Sequence, residues 1–225
     1  MASTVFITGA GKGLGLEFAR QYAQAGWRVI ATCRAPDKSS ELQALGVETH
    51  PLDVADFDAV SALAKTLRGT PIDLLLSNAA QFGEAQDFGQ VDMEDWATVL
   101  RVDVMAPLAL AQSFVDHVAQ SPGRVMAFLS SRMGSIADNG SGGFYIYRTA
   151  KTALNMLVKN LAVDLEPRGI VAVALHPGWV KTDMGGPNAP LEPPVSVAGL
   201  RTVLSRITDR DTGKFYGYDG VEIPW

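Results

Sequence analysis

Tyr147 and Lys151 stand four residues apart in Tyr147-Arg148-Thr149-Ala150-Lys151-Thr152-Ala153-Leu154-Asn155-Met156-Leu157. Apolar residues recur there at helical spacing, so the phenol and the ammonium share one helical face, a turn apart. An ammonium within about 4–6 Å stabilises a phenolate, and the pairing predicts a tyrosine pKa drawn from about 10 toward neutrality. A phenol so tuned can donate and accept a proton near neutral pH. Tyr-x-x-x-Lys is common on helices, so its weight depends on what the rest of the chain brings to it.

Two further groups point the same way. Near the N-terminus a short apolar run leads into Thr8-Gly9-Ala10-Gly11-Lys12-Gly13-Leu14-Gly15, after which Leu16-Glu17-Phe18-Ala19-Arg20 opens a helix. Glycines at a strand-to-helix turn permit positive φ and let a phosphate approach the N–H groups of the helix N-terminus. The spacing is Gly9-x-x-x-Gly13-x-Gly15 and departs from G-x-G-x-x-G. Ser130-Ser131 closes a later apolar run, at the strand end where open parallel sheets bind ligands. A serine there can donate to a substrate carbonyl and stabilise developing negative charge on oxygen.

The elements that must position these groups alternate along the chain. Strands are expected at Thr4–Thr8, Arg28–Thr32, Val47–His50, Ile72–Ser77, Val125–Ser130, Ile170–Leu175 and Lys214–Tyr218, with helices at Leu14–Ala25, Ser39–Leu45, Phe57–Leu67, Met93–Ala119, Tyr145–Leu165 and Val197–Arg206. Such alternation predicts an α/β, doubly wound, Rossmann-type parallel sheet of seven strands with helices on both faces. The runs at 72–76 and 170–175 are almost wholly apolar, as strands covered on both sides require. One domain spans residues 1–225, and the proline- and glycine-rich tract 185–194 reads as a mobile loop leading into a substrate-side segment, 185–206.

Composition narrows the function. With 225 residues, 47% of them hydrophobic, the chain can bury one sizeable core, and a net charge of −5 argues against nucleic acid or an anionic membrane as partner. Cys33 is the only cysteine, no signal-peptide pattern opens the chain, and no uninterrupted apolar run nears the length of a membrane span, so the expected location is cytoplasmic. His50, His117 and His176 are scattered without metal-ligand spacing, so no metal is expected.

The glycine turn, the Tyr-x-x-x-Lys helix and the Ser130-Ser131 strand end together resemble the short-chain dehydrogenase/reductase family, from Thr4 to about Met184. Ala31-Thr32-Cys33-Arg34, the Tyr147–Asn155 helix and the closing Ile223-Pro224-Trp225 look most like its C-factor/sniffer group of carbonyl reductases. The resemblance implies a cofactor held by Gly9, Lys12, Gly13, Leu14 and Gly15, by Asn78-Ala79-Ala80, and by Pro177, Gly178, Val180 and Thr182. It also implies an adenine contact at Asp53-Val54, although Asp53 could equally belong with Asp56 to a helix N-cap. Ser77 and Ala80 depart from the family's Asn-Asn-Ala-Gly turn, and Ala80 needs a backbone angle that alanine tolerates.

For the dinucleotide, the end of the second strand carries Thr32-Cys33-Arg34 where an NAD enzyme has an acidic residue. Lys12 and Arg34 would attract a 2′-phosphate, which favours NADP(H), with Asp37 as the residue that opposes this reading. By resemblance, Ser131 holds the substrate oxygen, with Ser130 as structural partner and Ser135 as the alternative. Tyr147 is the acid/base, and Lys151 binds the nicotinamide ribose. Asp103 occupies the place of the family's catalytic asparagine, expected either to reach Lys151 through water or to face solvent. The implied activity is reversible reduction of a ketone or aldehyde by a homodimer or homotetramer; the other reading is a dinucleotide-binding regulator of C-factor type.

Overall fold

Seven strands form one sheet in the computed structural model, which describes residues 2–225. They are β1 (Thr4–Thr8), β2 (Arg28–Cys33), β3 (Glu48–Pro51), β4 (Leu74–Ser77), β5 (Val125–Leu129), β6 (Val171–His176) and β7 (Phe215–Gly217), in the order β3-β2-β1-β4-β5-β6-β7. Every neighbouring pair is parallel. The expected doubly wound sheet is therefore the fold, and its strand order reverses between β1 and β4. Ile72 stays outside β4 because its N–H donates to the His117 carbonyl at 3.0 Å.

The two-residue period of a strand sends alternate side chains to opposite faces. Phe6, Ile30, Leu75, Met126 and Phe128 lie in one apolar layer with side chains of α3 (Phe57–Thr66), α5 (Ala106–Ala119) and α6 (Tyr145–Leu165). Ile7, Ala31, Leu76, Ala127, Leu129 and Val173 lie in the other, with α1 (Gly13–Gln24), α2 (Ser40–Ala44) and α7 (Pro193–Leu204). Both faces are thus covered, which explains why the central strands read as apolar runs rather than as alternating ones.

Two expectations need correction. The stretch Met93–Ala119 is not one regular helix: α4 (Met93–Leu100) is separated from α5 by a π-helical turn, Arg101–Met105. Pro107 supplies the reason, since it lacks the N–H that would bond the Asp103 carbonyl and its ring crowds that carbonyl. The whole stretch is long and apolar enough to cross a membrane, with mean hydropathy 1.3. Its apolar side, however, packs in the protein core through Leu110, Phe114 and Val118.

Nor is the 185–194 tract an open loop. Its feet pair as Val180 and Leu191 in a parallel bridge, Lys181 meets Glu192 at 2.6 Å, and the Trp179 indole N–H donates to the Gly185 carbonyl at 2.7 Å. Pro193 and Pro194 begin α7 rather than end a loop, because the first helical positions need no N–H partner.

Candidate active site

Three elements meet at the carboxyl edge of the sheet. Ser131 follows β5, Tyr147 lies in the first turn of α6 and Lys151 one turn later, and Asp103 sits in the π-helical turn between α4 and α5. All four are buried, with Asp103 only 1% and Lys151 only 2% exposed. The Ser131 hydroxyl accepts from the Met133 N–H at 3.2 Å, which leaves its own proton to donate, and it stands beside the Tyr147 phenol, whose ionised form it favours. The Lys151 ammonium lies 5.6 Å from the centre of the Tyr147 ring and donates to the Leu129 carbonyl at 3.0 Å.

Asp103 differs from both sequence expectations. It neither faces solvent nor stands off from Lys151: its Oδ2 lies 2.9 Å from the Lys151 Nζ, while Oδ1 accepts from the Gln81 N–H at 2.8 Å. The π-helical turn places it there, and the sequence signal for that turn is Pro107. Burial pushes the Asp103 carboxyl up, against the pull of Lys151 and the Gln81 N–H. Burial pulls Lys151 down, but Asp103 and Tyr147 more than offset it, so the ammonium is held charged above its ordinary range.

Tyr147 also departs from expectation. Its pKa is raised, because burial outweighs the attraction of Lys151, and the negative charge of Asp103 adds to the upward push. The neighbouring Ser131 hydroxyl works in the opposite direction. Spacing alone shows the ammonium but not the burial, which here is the larger effect.

The other serines are committed elsewhere. Ser130 donates to the Asn155 Oδ1 at 2.5 Å, and the Asn155 amide donates to the Gly134 carbonyl at 3.1 Å. The Ser135 hydroxyl accepts from the Asp138 N–H at 3.1 Å. His176 ends β6, where its Nδ1 accepts from the Arg132 N–H at 3.2 Å. Burial, helped by the Arg132 charge, lowers its pKa to about 4, so it is a neutral, packed group.

The glycine turn lies at the same edge, between β1 and α1. Gly9 has φ +68°, and a Cβ there would stand 2.9 Å from the Ala79 Cα. A Cβ at Gly15 would run into the Gly9 carbonyl oxygen. Gly13, at φ +55°, instead opens the turn toward Thr182, whose methyl would lie 3.5 Å from an added Cβ. The α1 N-terminus at Lys12 carries no side-chain cap, and Leu14 lies in its first turn, so backbone N–H groups remain for an anionic ligand. These observations fit a pyrophosphate laid across the turn.

The remaining sequence-selected residues brace the glycine turn or shape the turn after β6. The Asn78 amide donates to the carbonyls of Thr8 (2.9 Å) and Gly9 (3.2 Å), while the Thr8 hydroxyl accepts from the N–H groups of Asn78 and Ala79. Asn78 thus braces the glycine turn, a role it shares with Thr8. Ala80 is not among the residues with positive φ, so alanine fits there without strain. Gly178 (φ +83°) faces Leu191 and Tyr218, and the Thr182 hydroxyl accepts from the Gly185 N–H. Pro177 offers its carbonyl to the Ser196 hydroxyl at 2.6 Å.

Arg34 is exposed just beyond β2, with Asp37 in the short turn that follows. Lys12 is paired with Asp183 at 2.6 Å, both largely exposed, so the sequence reading of a lysine free for a 2′-phosphate is modified. The exposed Asp53 carboxylate accepts from the Ala55 N–H, and it is Asp56 that caps α3; the Val54 side chain belongs to the core. Gln86 and Arg148, both missed in the sequence, tie loops to the first turn of α6. Their partners are too distant in sequence or too irregular in conformation for spacing to show.

Comparison with known proteins gives a consistent set. The sequence matches the short chain dehydrogenase family over residues 3–192. It is 42% identical over 164 residues to C-signal of Myxococcus xanthus, a match covering 73% of this chain and 99% of that protein. The carbonyl reductase Sniffer of D. melanogaster superposes over the full length of both chains with a TM-score of 0.93 and 31% identity. An NADPH-bound carbonyl reductase from chicken fatty liver superposes with a TM-score of 0.93 and 32% identity, covering 100% of this chain and 99% of its own.

Proposed function

The chain belongs to the short-chain dehydrogenase family, and from that premise we propose that it is an NADP(H)-dependent oxidoreductase that reduces a ketone or aldehyde to an alcohol. One observation carries the reading: a buried phenol, Tyr147, beside the Ser131 hydroxyl and backed by the Lys151–Asp103 ion pair, at the sheet edge beside a glycine turn shaped for a pyrophosphate. The solved relative with NADPH bound and the two cations Lys12 and Arg34 support the phosphorylated form of the cofactor. Lys12 would exchange its exposed partner Asp183 for the 2′-phosphate, a small loss because exposed ion pairs contribute little.

In the reaction the reduced nicotinamide, when bound, supplies the hydride to the carbonyl carbon. The protein's part is to hold and protonate the oxygen. The Ser131 hydroxyl donates a hydrogen bond to the carbonyl oxygen and keeps its proton, and Tyr147 transfers the single proton that completes the alcohol. Lys151 keeps a positive charge beside the phenolate that remains, and its own charge is secured by Asp103. A raised Tyr147 pKa keeps the phenol protonated at neutral pH, the form that reduction needs, whereas alcohol oxidation needs the phenolate and a higher pH. Substrate would lie between the 132–144 segment and the 185–206 segment.

The C-signal match favours a second reading, a dinucleotide-binding signalling protein without turnover. Mixing the protein with NADPH and a panel of aldehydes and ketones separates the two. The proposal expects loss of reduced-nicotinamide absorbance with at least one carbonyl compound; tight NADPH binding without oxidation across the panel would favour the signalling reading. The glycine turn, Lys12 and Arg34 imply work wherever NADPH is kept reduced, which agrees with a cytoplasmic location.

A further inference from the structure

The chain enters the helix that carries Tyr147 by an unusual path. Gly142, Gly143 and Phe144 have φ of +65°, +66° and +51° in succession, and Phe144 precedes Tyr145 without capping α6 through any side chain. The first N–H groups of a helix have no partner within it, and in a buried helix they must find one elsewhere. For α6 the partner is Gln86, 61 residues from Tyr147 in sequence.

Gln86 is only 5% exposed, and its polar groups are spent on two segments. Its side-chain Oε1 accepts from the Tyr147 N–H at 2.8 Å, and its backbone carbonyl accepts from the Tyr145 N–H at 3.2 Å. Its Nε2 donates to the carbonyls of Phe82 (2.8 Å) and Gly83 (3.0 Å), which folds the 82–86 segment back on itself. That fold lays the Phe82 ring 4.7 Å from the Tyr147 ring and 5.9 Å from the Phe144 ring. It also brings Gly83, at φ +82°, so close that a Cβ there would stand 2.9 Å from the Ile146 side chain. From the other side, the Arg148 guanidinium donates to the Met133 and Gly142 carbonyls and to the Ser141 hydroxyl.

We propose that Gln86 is a positioning residue for Tyr147: one amide fixes the backbone of the proton donor and, by folding the 82–86 segment, sets the Phe82 ring against its phenol. The inference rests on Tyr147 being the proton donor. Its physical content is that the phenol's distance to Ser131 and Lys151 is held by a residue that touches none of the reacting atoms. An error of about 1 Å in such a placement costs up to about a hundredfold in rate.

Gln86→Met tests this, since it keeps the length of the side chain and removes all three of its hydrogen bonds. The expected result is a kcat lower by at least about tenfold on the best carbonyl compound of the panel, an NADPH Kd within about twofold of wild type, and an alkaline limb of the pH profile displaced from the wild-type position. Amide hydrogen exchange at Tyr147 should accelerate by about tenfold or more, because its acceptor is gone. Gln86→Glu adds a control. As a carboxylate it still accepts from the Tyr147 N–H but confronts the Phe82 and Gly83 carbonyls, so its kcat should recover toward wild type as pH falls and the acid can donate. A Gln86→Met enzyme with unchanged kcat and pH profile, or one whose loss is wholly explained by its unfolded fraction, would overturn the proposal. Failure of the underlying reading is distinguishable, because Tyr147→Phe would then retain turnover while exchange at residue 147 still depended on Gln86.

Discussion

Replacing the Asp103 carboxylate by its neutral isostere removes a charge that pushes the Tyr147 pKa upward. Carbonyl reduction needs the protonated phenol, so its activity fades as pH rises through that pKa. In Asp103→Asn the alkaline limb should therefore move toward acid, and a kcat–pH profile measures it directly. An unmoved limb would mean that the ion pair does not reach the phenol. His176 gives an independent titration. Its pKa is lowered to about 4 by burial and the Arg132 charge, whereas in the unfolded chain it is about 6.5. The unfolded state then binds the proton first, so stability present above about pH 6.5 is lost as pH falls toward about 4, up to about 2–3 kcal/mol from this group. Urea unfolding of wild type and His176→Asn across that window checks the sign, and a steeper loss in the variant would contradict it. At this scale the sequence showed the actors but not their setting. Tyr147 and Lys151 are visible from spacing and the Ser130-Ser131 pair from its strand end, with Ser131 singled out only by resemblance, whereas the direction of the tyrosine shift depends on burial, which no spacing encodes.

Elements explain how residues so far apart converge. The glycine turn works because its positions meet two constraints: Gly9 and Gly15 are packed against backbone, and Gly9 and Gly13 need a left-handed φ. Gly15→Ala, whose Cβ would meet the Gly9 carbonyl, is expected to lower stability by about 1–3 kcal/mol and to weaken NADPH binding, read by thermal melting with and without cofactor. Equal melting of variant and wild type would contradict the tight approach. Strand positions were legible because buried parallel strands leave long apolar runs. The π-helical turn was not, although its cause, Pro107, is in plain view: a proline in a helical pattern signals a break without saying which turn absorbs it. The start of α7 was misplaced for a related reason, since Pro193 and Pro194 read as loop residues until the helix start that tolerates them is seen.

For the molecule as a whole, the sheet order puts the glycine turn, the Ser131 strand end and the 177–182 turn along one edge, and the net charge of −5 makes local cations stand out. Lys12→Ala combined with Arg34→Ala should raise the KM for NADPH by about tenfold or more while leaving NADH nearly unaffected, because only the former carries the phosphate they attract. Asp183→Ala should lower the KM for NADPH by a small factor, since Lys12 would no longer have to leave a partner. Both are steady-state measurements with one carbonyl substrate, and equal losses for the two cofactors would reassign the cations to the framework. The most direct test of the account is Tyr147→Phe, which removes one oxygen from the buried cluster and leaves the glycine turn intact. The variant should bind NADPH as wild type does and lose carbonyl reduction by about 10²–10⁴-fold; near-wild-type turnover would show that the proton comes from another group.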